Sequence, residues 1–327
     1  MMLPSQYLQP MNFGEMVRRT WALTRATAAR MGPILLIYHL LFMFLIWWII
    51  DGVFTMLPQL IAETQRAPDG QLDPDTAFNL IMPIYGRMFL AAPLNLLAQI
   101  LSPYLQTMTV YASWSEINGE HLTLGELARR PFKRALWMTI AHMFIIGAIA
   151  SLGSMVIIPF VVVGTAVVVP VGIAASFALC LALVYFMVAA SLSVHFITID
   201  SRGPWKGLIA SITLVKNEWW RAFGLLALIW LIISLITAPA GIWMLFEVAD
   251  IIQALEPIAN SEDPALAMQF FTQISGMLSP WIFALYGIAA AAFLLLMTNA
   301  QTVLFVDLRA RRGDFLGEDE VGESPVP

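Results

Sequence analysis

Histidine is the residue type in this sequence best suited to metal binding or proton transfer, because imidazole titrates near neutral pH and binds transition metals. His39, His142 and His195 lie in or beside apolar runs, and His142 and His195 fall near the same end of two successive runs. One interpretation is a metal or proton site. The other is hydrogen bonding between helices or with interfacial water. The second is favoured because no carboxylate accompanies the histidines inside the apolar runs.

Other sequence signatures of chemistry are absent. The chain has no phosphate-binding glycine loop, no H-E-x-x-H, no G-x-S-x-G and no zinc-ligand spacing. Its one cysteine, Cys180, excludes an internal disulfide and makes a thiolate metal cluster implausible. Asp51 and Glu247 lie at the ends of apolar runs, whereas an ion-coupled transporter usually needs an acid deep in the membrane. We therefore expect no catalytic residue, no metal and no cofactor.

The composition indicates that these residues lie in a membrane. Of 327 residues, 59% are hydrophobic and only 12% are charged, against about a quarter charged in soluble domains. A water-soluble fold of this length cannot hide so much apolar surface. Six segments reach the roughly 20 apolar residues that a spanning helix needs: residues 32–50, 88–111, 135–163, 166–199, 222–246 and 280–306. The sequence predicts an all-α membrane protein of six spans.

Helix breakers cluster between the third and fourth predicted spans. Pro159, Gly164, Pro170 and Gly172 fall within this region. Such residues are tolerated where the backbone reaches water or protein partners. The cluster fits a tight hairpin at the far side of the membrane, and a re-entrant piece over Val161–Val171 is the alternative.

The distribution of Lys and Arg predicts the orientation. Fifteen of the seventeen basic residues lie in the N-terminal segment, the two loops after spans two and four, and the C-terminal tail. Only Arg66 and Arg87 lie on the other side. Because positive residues stay cytoplasmic, both termini are predicted to be cytoplasmic. The domain prediction is a cytoplasmic amphipathic helix at 1–31, a membrane domain at 32–306 and a disordered cytoplasmic tail at 307–327.

An eight-residue pattern occurs twice ahead of a span. Residues 12–19 (NFGEMVRR) resemble residues 123–130 (TLGELARR). Asn12 and Thr123 are N-cap types, and a Glu stands three residues after each, as in a capping box. A weaker third copy covers residues 205–221. The sequence therefore predicts three hairpins of two spans, each preceded by an amphipathic cytoplasmic helix with a basic side toward lipid phosphates.

Two sets of side chains follow as candidate contacts. Basic and tryptophan residues near the span ends can contact anionic lipid head groups or a partner protein: Arg18, Arg19, Arg25, Arg129, Arg130, Lys133, Arg134, Lys216, Trp219, Trp220 and Arg221. Polar side chains inside the spans can join helices or line a polar path: His39, Gln99, His142, His195 and Asn299.

The order of several short motifs resembles a known family. They are Phe13-Gly14-Glu15, Gly119-Glu120 with Leu124-Gly125-Glu126, Trp205 to Leu214 with Trp219-Trp220-Arg221, and residues 306–311 (VDLRAR). Together they resemble the membrane domain of the glycerophosphodiester phosphodiesterase membrane-domain family and its stand-alone, YciC-like bacterial relatives. The resemblance implies a six-helix module of the bacterial inner membrane, whose phosphodiesterase activity belongs to an attached soluble barrel. The sequence continues only about twenty residues past the last predicted span, so no such barrel is expected.

The functional prediction is a non-catalytic membrane module that scaffolds or organises lipids or other inner-membrane proteins. Anionic membrane lipids are the expected partners, and no nucleic acid is expected. A transporter or lipid-handling permease is the alternative, which a lipid-sized or water-filled cavity would favour. An intramembrane enzyme is a further alternative, which convergence of His39, His142 and His195 would favour.

Overall fold

The computed structural model describes residues 9–66, 73–141, 145, 147, 168–259 and 279–314. These residues are helical or lie in short turns, and none of them forms a strand. Five helical stretches are long and apolar enough to cross a membrane: Phe13–Met56, Tyr85–Ile117, Phe177–Thr198, Pro204–Pro239 and Pro280–Arg312. The prediction of an all-α, multi-pass membrane protein is therefore confirmed. The third predicted span, and the region of the proposed hairpin or re-entrant piece, lie mostly outside the described residues.

Nine helices are named here in chain order, with one 3-10 turn at Lys216–Glu218. They are α1 (Phe13–Arg66), α2 (Pro74–Ile117), α3 (Leu124–Arg129), α4 (132–141), α5 (Val168–Ala190), α6 (Ser193–Thr198), α7 (Pro204–Val215), α8 (Trp219–Ala259) and α9 (Pro280–Arg312).

The first predicted domain boundary falls within a continuous helix. Helix α1 runs for 54 residues, through the predicted amphipathic segment and the first span without interruption. At about 1.5 Å per residue it is roughly 80 Å long, far more than the ~30 Å hydrocarbon core. Continuity is favoured because a backbone in lipid has no water to satisfy its hydrogen-bonding groups. The helix continues through Gly32 and Pro33.

The predicted capping box of α3 is confirmed, and α2 also begins with an N-cap residue. Thr123 and Glu126 form a complete capping box at the start of α3. Asp73 accepts from the backbone N–H of Thr76 at 3.1 Å, as an N-cap residue does, and α2 begins at the next residue. The other Asp-Pro pair of this kind, Asp263–Pro264, lies outside the described residues.

A serine joins α7 to the break between α5 and α6. The hydroxyl of Ser211 donates to the backbone oxygen of Ala189 at 2.6 Å and accepts from the backbone N–H of Leu192 at 3.0 Å. It thereby provides hydrogen-bond partners for two backbone groups that lack one within a helix because the helix is interrupted there. Gly207 makes this contact possible, because a Cβ there would come within 2.7 Å of Ile197. The sequence predicts one straight fourth span. The structure has two helices there, α5 and α6, joined by a buried turn.

The chain divides into two compact units. Unit 1 comprises Met1–Gly32, Ile100–Trp230 and Leu294–Pro327, and unit 2 comprises Pro33–Gln99 and Leu231–Phe293. Every buried polar side chain among the described residues belongs to unit 1. Polar side chains join helices within a membrane, so the candidate sites lie in unit 1.

Within unit 2, an arginine of α2 is fixed against α1. Arg87 donates to the backbone oxygen of Trp48 at 2.9 Å, and its guanidinium lies over the Trp48 ring and 3.8 Å from Asp51. Tyr38 donates to the backbone oxygen of Ala98 at 2.9 Å. These contacts hold α1 and α2 together.

Candidate functional site

The carboxylate of Asp307, near the end of α9 in unit 1, is charged and has no exposed surface. Oδ1 accepts from the backbone N–H of Met11 at 2.6 Å. Oδ2 accepts from Nε of Arg221 at 2.7 Å and from Nε of Arg311 at 3.1 Å. Three parts of the chain, which are far apart in sequence, therefore meet at one carboxylate.

The same arginines also hold the peptide of Met11 from its other side. Nη2 of Arg311 donates to the backbone oxygen of Met11 at 2.7 Å, and Nη2 of Arg221 donates to the same oxygen. A buried carboxylate with two guanidinium partners is charge-compensated. The cluster of Met11, Arg221, Asp307 and Arg311 therefore fixes the start of α1 against α8 and α9.

A second group of charges links the N-terminal part of α1 to the end of α2. Arg30 forms an ion pair with Glu116 and donates to the backbone oxygen of Leu122 at 3.0 Å. His121 lies 3.6 Å from the same carboxylate but is largely exposed. Arg30 therefore positions the loop that leads into α3.

A third group of charges surrounds a cleft in unit 1. Arg309 of α9 pairs with Asp200 at 3.1 Å and with Asp314 at 3.3 Å, and Arg202 lies 3.7 Å from Asp200. The cleft has a volume of about 390 Å³ and lies between α6, α7 and the end of α9. Unlike the Asp307 cluster, it is open to the surroundings, and it is the candidate binding site of this unit.

Asn299 lies at the centre of a buried hydrogen-bond network. Its amide nitrogen donates to Thr27 of α1 at 3.0 Å and to the backbone oxygen of Leu295 at 2.8 Å. Its amide oxygen accepts from Ser113 of α2 at 2.6 Å. Asn299 thus joins three helices. This is one of the two roles that the sequence allows for it, the other being to line a polar path.

His195 is fully buried and is held by helix α9. Its Nε2 is 2.9 Å from the hydroxyl of Thr302, and its ring stacks on Phe305 with centroids 5.4 Å apart. Within the described residues, Nδ1 of His195 and the hydroxyls of Thr198 and Thr298 have no hydrogen-bond partner. The interior around α6 and α9 is therefore polar but closely packed.

The other intramembrane candidates are distributed differently. His39, in unit 2, is bonded through Nδ1 to the backbone oxygen of Leu35 at 2.8 Å. Gln99 is exposed, and His142 lies outside the described residues. The described residues include no group of three or more His, Cys, Asp or Glu side chains placed to hold a metal ion.

The predicted lipid or partner contacts divide into exposed and engaged side chains. Arg18, Arg25, Arg129, Arg130, Lys133, Lys216 and Trp220 are exposed. Arg19 is mostly buried and pairs with Glu15, which also binds Arg18. Arg134 is half-buried and its guanidinium lies over the Tyr111 ring. Trp219 stacks on Tyr185, and Arg221 is held in the Asp307 cluster.

Several important residues were not predicted as site residues. Asp307, Arg309 and Arg311 occur in the sequence analysis only within the motif at residues 306–311, and neither Asp200 nor Glu116 is predicted there. One signal was available: Asp307 is a single acid beside three arginines, directly after an apolar run. A carboxylate at such a position usually has a basic partner.

The chain was also compared with known proteins. No family model, no curated protein and no solved structure matches it.

Proposed function

We propose that the chain is a six-span module of the bacterial inner membrane with both termini in the cytoplasm. The third span of the proposal is residues 135–163, of which residues 135–141 are helical. The basic asymmetry supports the orientation. In this arrangement each of three hairpins follows an amphipathic cytoplasmic helix, as in the membrane-domain family that the motifs resemble. The close contact of Arg221 with Asp307 supports the likeness to this family, because the two residues belong to two of the motifs on which the resemblance rests.

We further propose a non-catalytic function, in which the module organises anionic lipids and, through them or directly, other inner-membrane proteins. One observation carries this proposal. The deeply buried ionic group, Asp307, is saturated by structural partners, whereas most of the predicted basic contacts remain exposed. Exposed cations attract anionic head groups by about 1 kcal/mol each near the membrane surface. A positively charged surface of this kind can bind and position anionic groups.

Lipid co-purification tests this function. The full chain is extracted from native membranes, and its bound lipids and proteins are identified by mass spectrometry. We expect anionic lipids to be enriched over their share of the membrane. Reversing the charge of Arg129, Arg130 and Lys133 is expected to lower that enrichment several-fold. A wild-type protein that binds lipids in the bulk proportion would contradict the proposal.

The non-catalytic part has its own test. Lipids and small metabolites are compared between cells that lack the protein, cells that express it, and cells that express the His39→Gln, His142→Gln and His195→Gln variant. We expect the variant and the wild type to give the same profile. A product that accumulates only with the wild-type histidines would instead indicate an intramembrane enzyme.

A further inference from the structure

The cleft between α6, α7 and the end of α9 has a lining of two kinds. One part is charged and the other is apolar or weakly polar. Its lining residues are Phe196, Asp200, Arg202, Lys206, Ile209, Ala210, Thr213, Arg309, Arg312 and Asp314. We propose that this cleft binds the phosphodiester head group of one anionic phospholipid at a specific, saturable site. The inference rests on the proposed function and deepens it, because it replaces diffuse attraction by a defined site.

The charges of the cleft favour an anion. Four cations, Arg202, Lys206, Arg309 and Arg312, face two acids. Both acids are engaged: Asp200 and Asp314 each accept from Arg309. Among the described residues, neither Lys206 nor Arg312 has an ion pair, and both are exposed. The cleft therefore carries two positive charges in excess, on side chains that are free to bind a ligand.

The arginines are positioned in advance. The guanidinium of Arg309 lies over the Phe305 ring, 5.3 Å from its centroid, and that of Arg202 lies over Phe196 at 5.0 Å. Such stacking fixes the guanidinium plane, and a planar guanidinium can donate two hydrogen bonds to phosphate oxygens. Less conformational entropy is then lost when the anion binds.

The remaining lining selects a lipid over free phosphate. Ile209 lines the cleft from α7 with 47% of its surface exposed, beside Ala210 and Thr213. Trp205, on the first turn of the same helix, is 65% exposed. An exposed tryptophan and aliphatic side chains next to lysine and arginine are typical of a helix at the lipid–water interface. An acyl chain can follow this apolar wall while the phosphate contacts the cations.

Binding of single lipids to the full chain in detergent tests the site. Native mass spectrometry gives the dissociation constant of the first bound phosphatidylglycerol and of phosphatidylcholine. We expect a preference of at least about tenfold for phosphatidylglycerol in the wild type. Lys206→Gln is expected to weaken the first phosphatidylglycerol about fivefold, and Lys206→Gln with Arg312→Gln about 30-fold.

Matched variants separate the site from general charge effects. Arg66→Gln removes the same charge as Lys206→Gln but lies on the opposite predicted side, and it is expected to change the affinity less than about twofold. Asp314→Asn is expected to tighten binding because it removes a negative charge from the cleft, while Asp75→Asn, at the start of α2, is not. Equal effects of Lys206→Gln and Arg66→Gln would overturn the proposed site.

Competition identifies the source of the phosphate group. Inorganic phosphate at millimolar concentration is added to the phosphatidylglycerol complex. We expect little displacement, because free phosphate gains nothing from the apolar wall. Displacement at concentrations comparable to those of the lipid would mean that the cleft is a site for free phosphate. If the wild type does not prefer phosphatidylglycerol to phosphatidylcholine at all, the proposed function fails as well. If it does, but the cleft variants bind normally, only this inference fails.

Discussion

Nε of Arg221 donates to Oδ2 of Asp307 at 2.7 Å, and it connects the first turn of α8 to the end of α9. The carboxylate is fully buried, and Arg221 has only 18% of its side chain exposed. Removing one partner of a buried pair leaves the other charge uncompensated. The protein then loses far more stability than it does when an exposed pair is removed. The pair is therefore expected to be essential for stability.

We predict that Asp307→Asn lowers the free energy of unfolding by about 3 kcal/mol or more. Both Arg221 and Arg311 lose their anionic partner in this variant. Asp314→Asn is the control, because Asp314 forms an exposed pair with Arg309 and should contribute about 1 kcal/mol or less. Unfolding by SDS in mixed micelles, followed by tryptophan fluorescence, measures both. Equal losses in the two variants would show that burial does not strengthen the Asp307 contacts.

The Asn299 network provides a second stability prediction. Hydrogen bonds between helices in membranes contribute about 0.6–2 kcal/mol. Ser113→Ala and Thr27→Val each remove one bond to Asn299. We expect each to reduce stability within that range. Asn299→Leu removes both of these bonds. Ser113→Ala or Thr27→Val should therefore reduce stability very little when either is added to Asn299→Leu.

A double-mutant cycle in the same micelles measures this coupling. Thr213→Val is the control, since among the described residues the Thr213 hydroxyl bonds to the backbone oxygen of Ile209, within its own helix. If Ser113→Ala and Asn299→Leu have simply additive effects, the two side chains do not interact energetically.

How much of this structure the sequence predicts is clearest in the first turns of α1. The sequence predicts the helix, its start at Asn12 and its exposed basic residues. The helical period of the sequence places Phe13, Met16, Val17, Trp21 and Ala28 on its apolar side. Met16 is buried, whereas Phe13 and Trp21 are exposed, Trp21 at 52%. The buried side contains Met16 together with three threonines, Thr20, Thr24 and Thr27. In a membrane protein large apolar side chains can face lipid, so small and weakly polar residues pack between helices.

The ionic clusters could be predicted only in part. The excess of arginine near the membrane ends is evident from the sequence, but the choice of partner is not. Arg221 bonds to an acid 86 positions later, and Arg30 to one in a different helix. Such pairings depend on how helices associate, which no local pattern encodes. The capping box of Thr123 and Glu126, by contrast, is local and was predicted from spacing alone.

This capping box gives a pH prediction. The pKa of Glu126 is lowered because its carboxylate accepts a hydrogen bond from the backbone N–H of Thr123, and also one from the Thr123 hydroxyl. A lowered pKa in the folded state means that ionised Glu126 stabilises α3 at neutral pH. This contribution is lost as the pH falls below the ordinary glutamate range and through the folded-state pKa.

Hydrogen exchange at residues 124–129, corrected for the intrinsic rate, measures this effect. We expect protection to decrease on acidification in the wild type. Glu126→Gln should be less protected at neutral pH, and its protection should change little with pH. Thr123→Ser preserves the hydroxyl and serves as the control, with wild-type behaviour. The same pH dependence in Glu126→Gln would assign the titration to another group.

The orientation of the chain is the last prediction, and it depends on the basic asymmetry rather than on any single contact. If positive residues are cytoplasmic, the segment around Gln71 and the segment around Ser261 face the periplasm, while Ser324 is cytoplasmic. Cys180 is exposed and would itself react, so single cysteines are introduced at these three positions in a Cys180→Ala background. An impermeant maleimide added to intact spheroplasts should label the first two positions and not the third. A permeable maleimide should label all three, which shows that each thiol is accessible. Labelling of position 324 with protection of positions 71 and 261 would invert the topology. It would then place the Arg129–Lys133 surface and the cleft around Arg309 on the outer side, away from the cytoplasmic leaflet that we propose they bind.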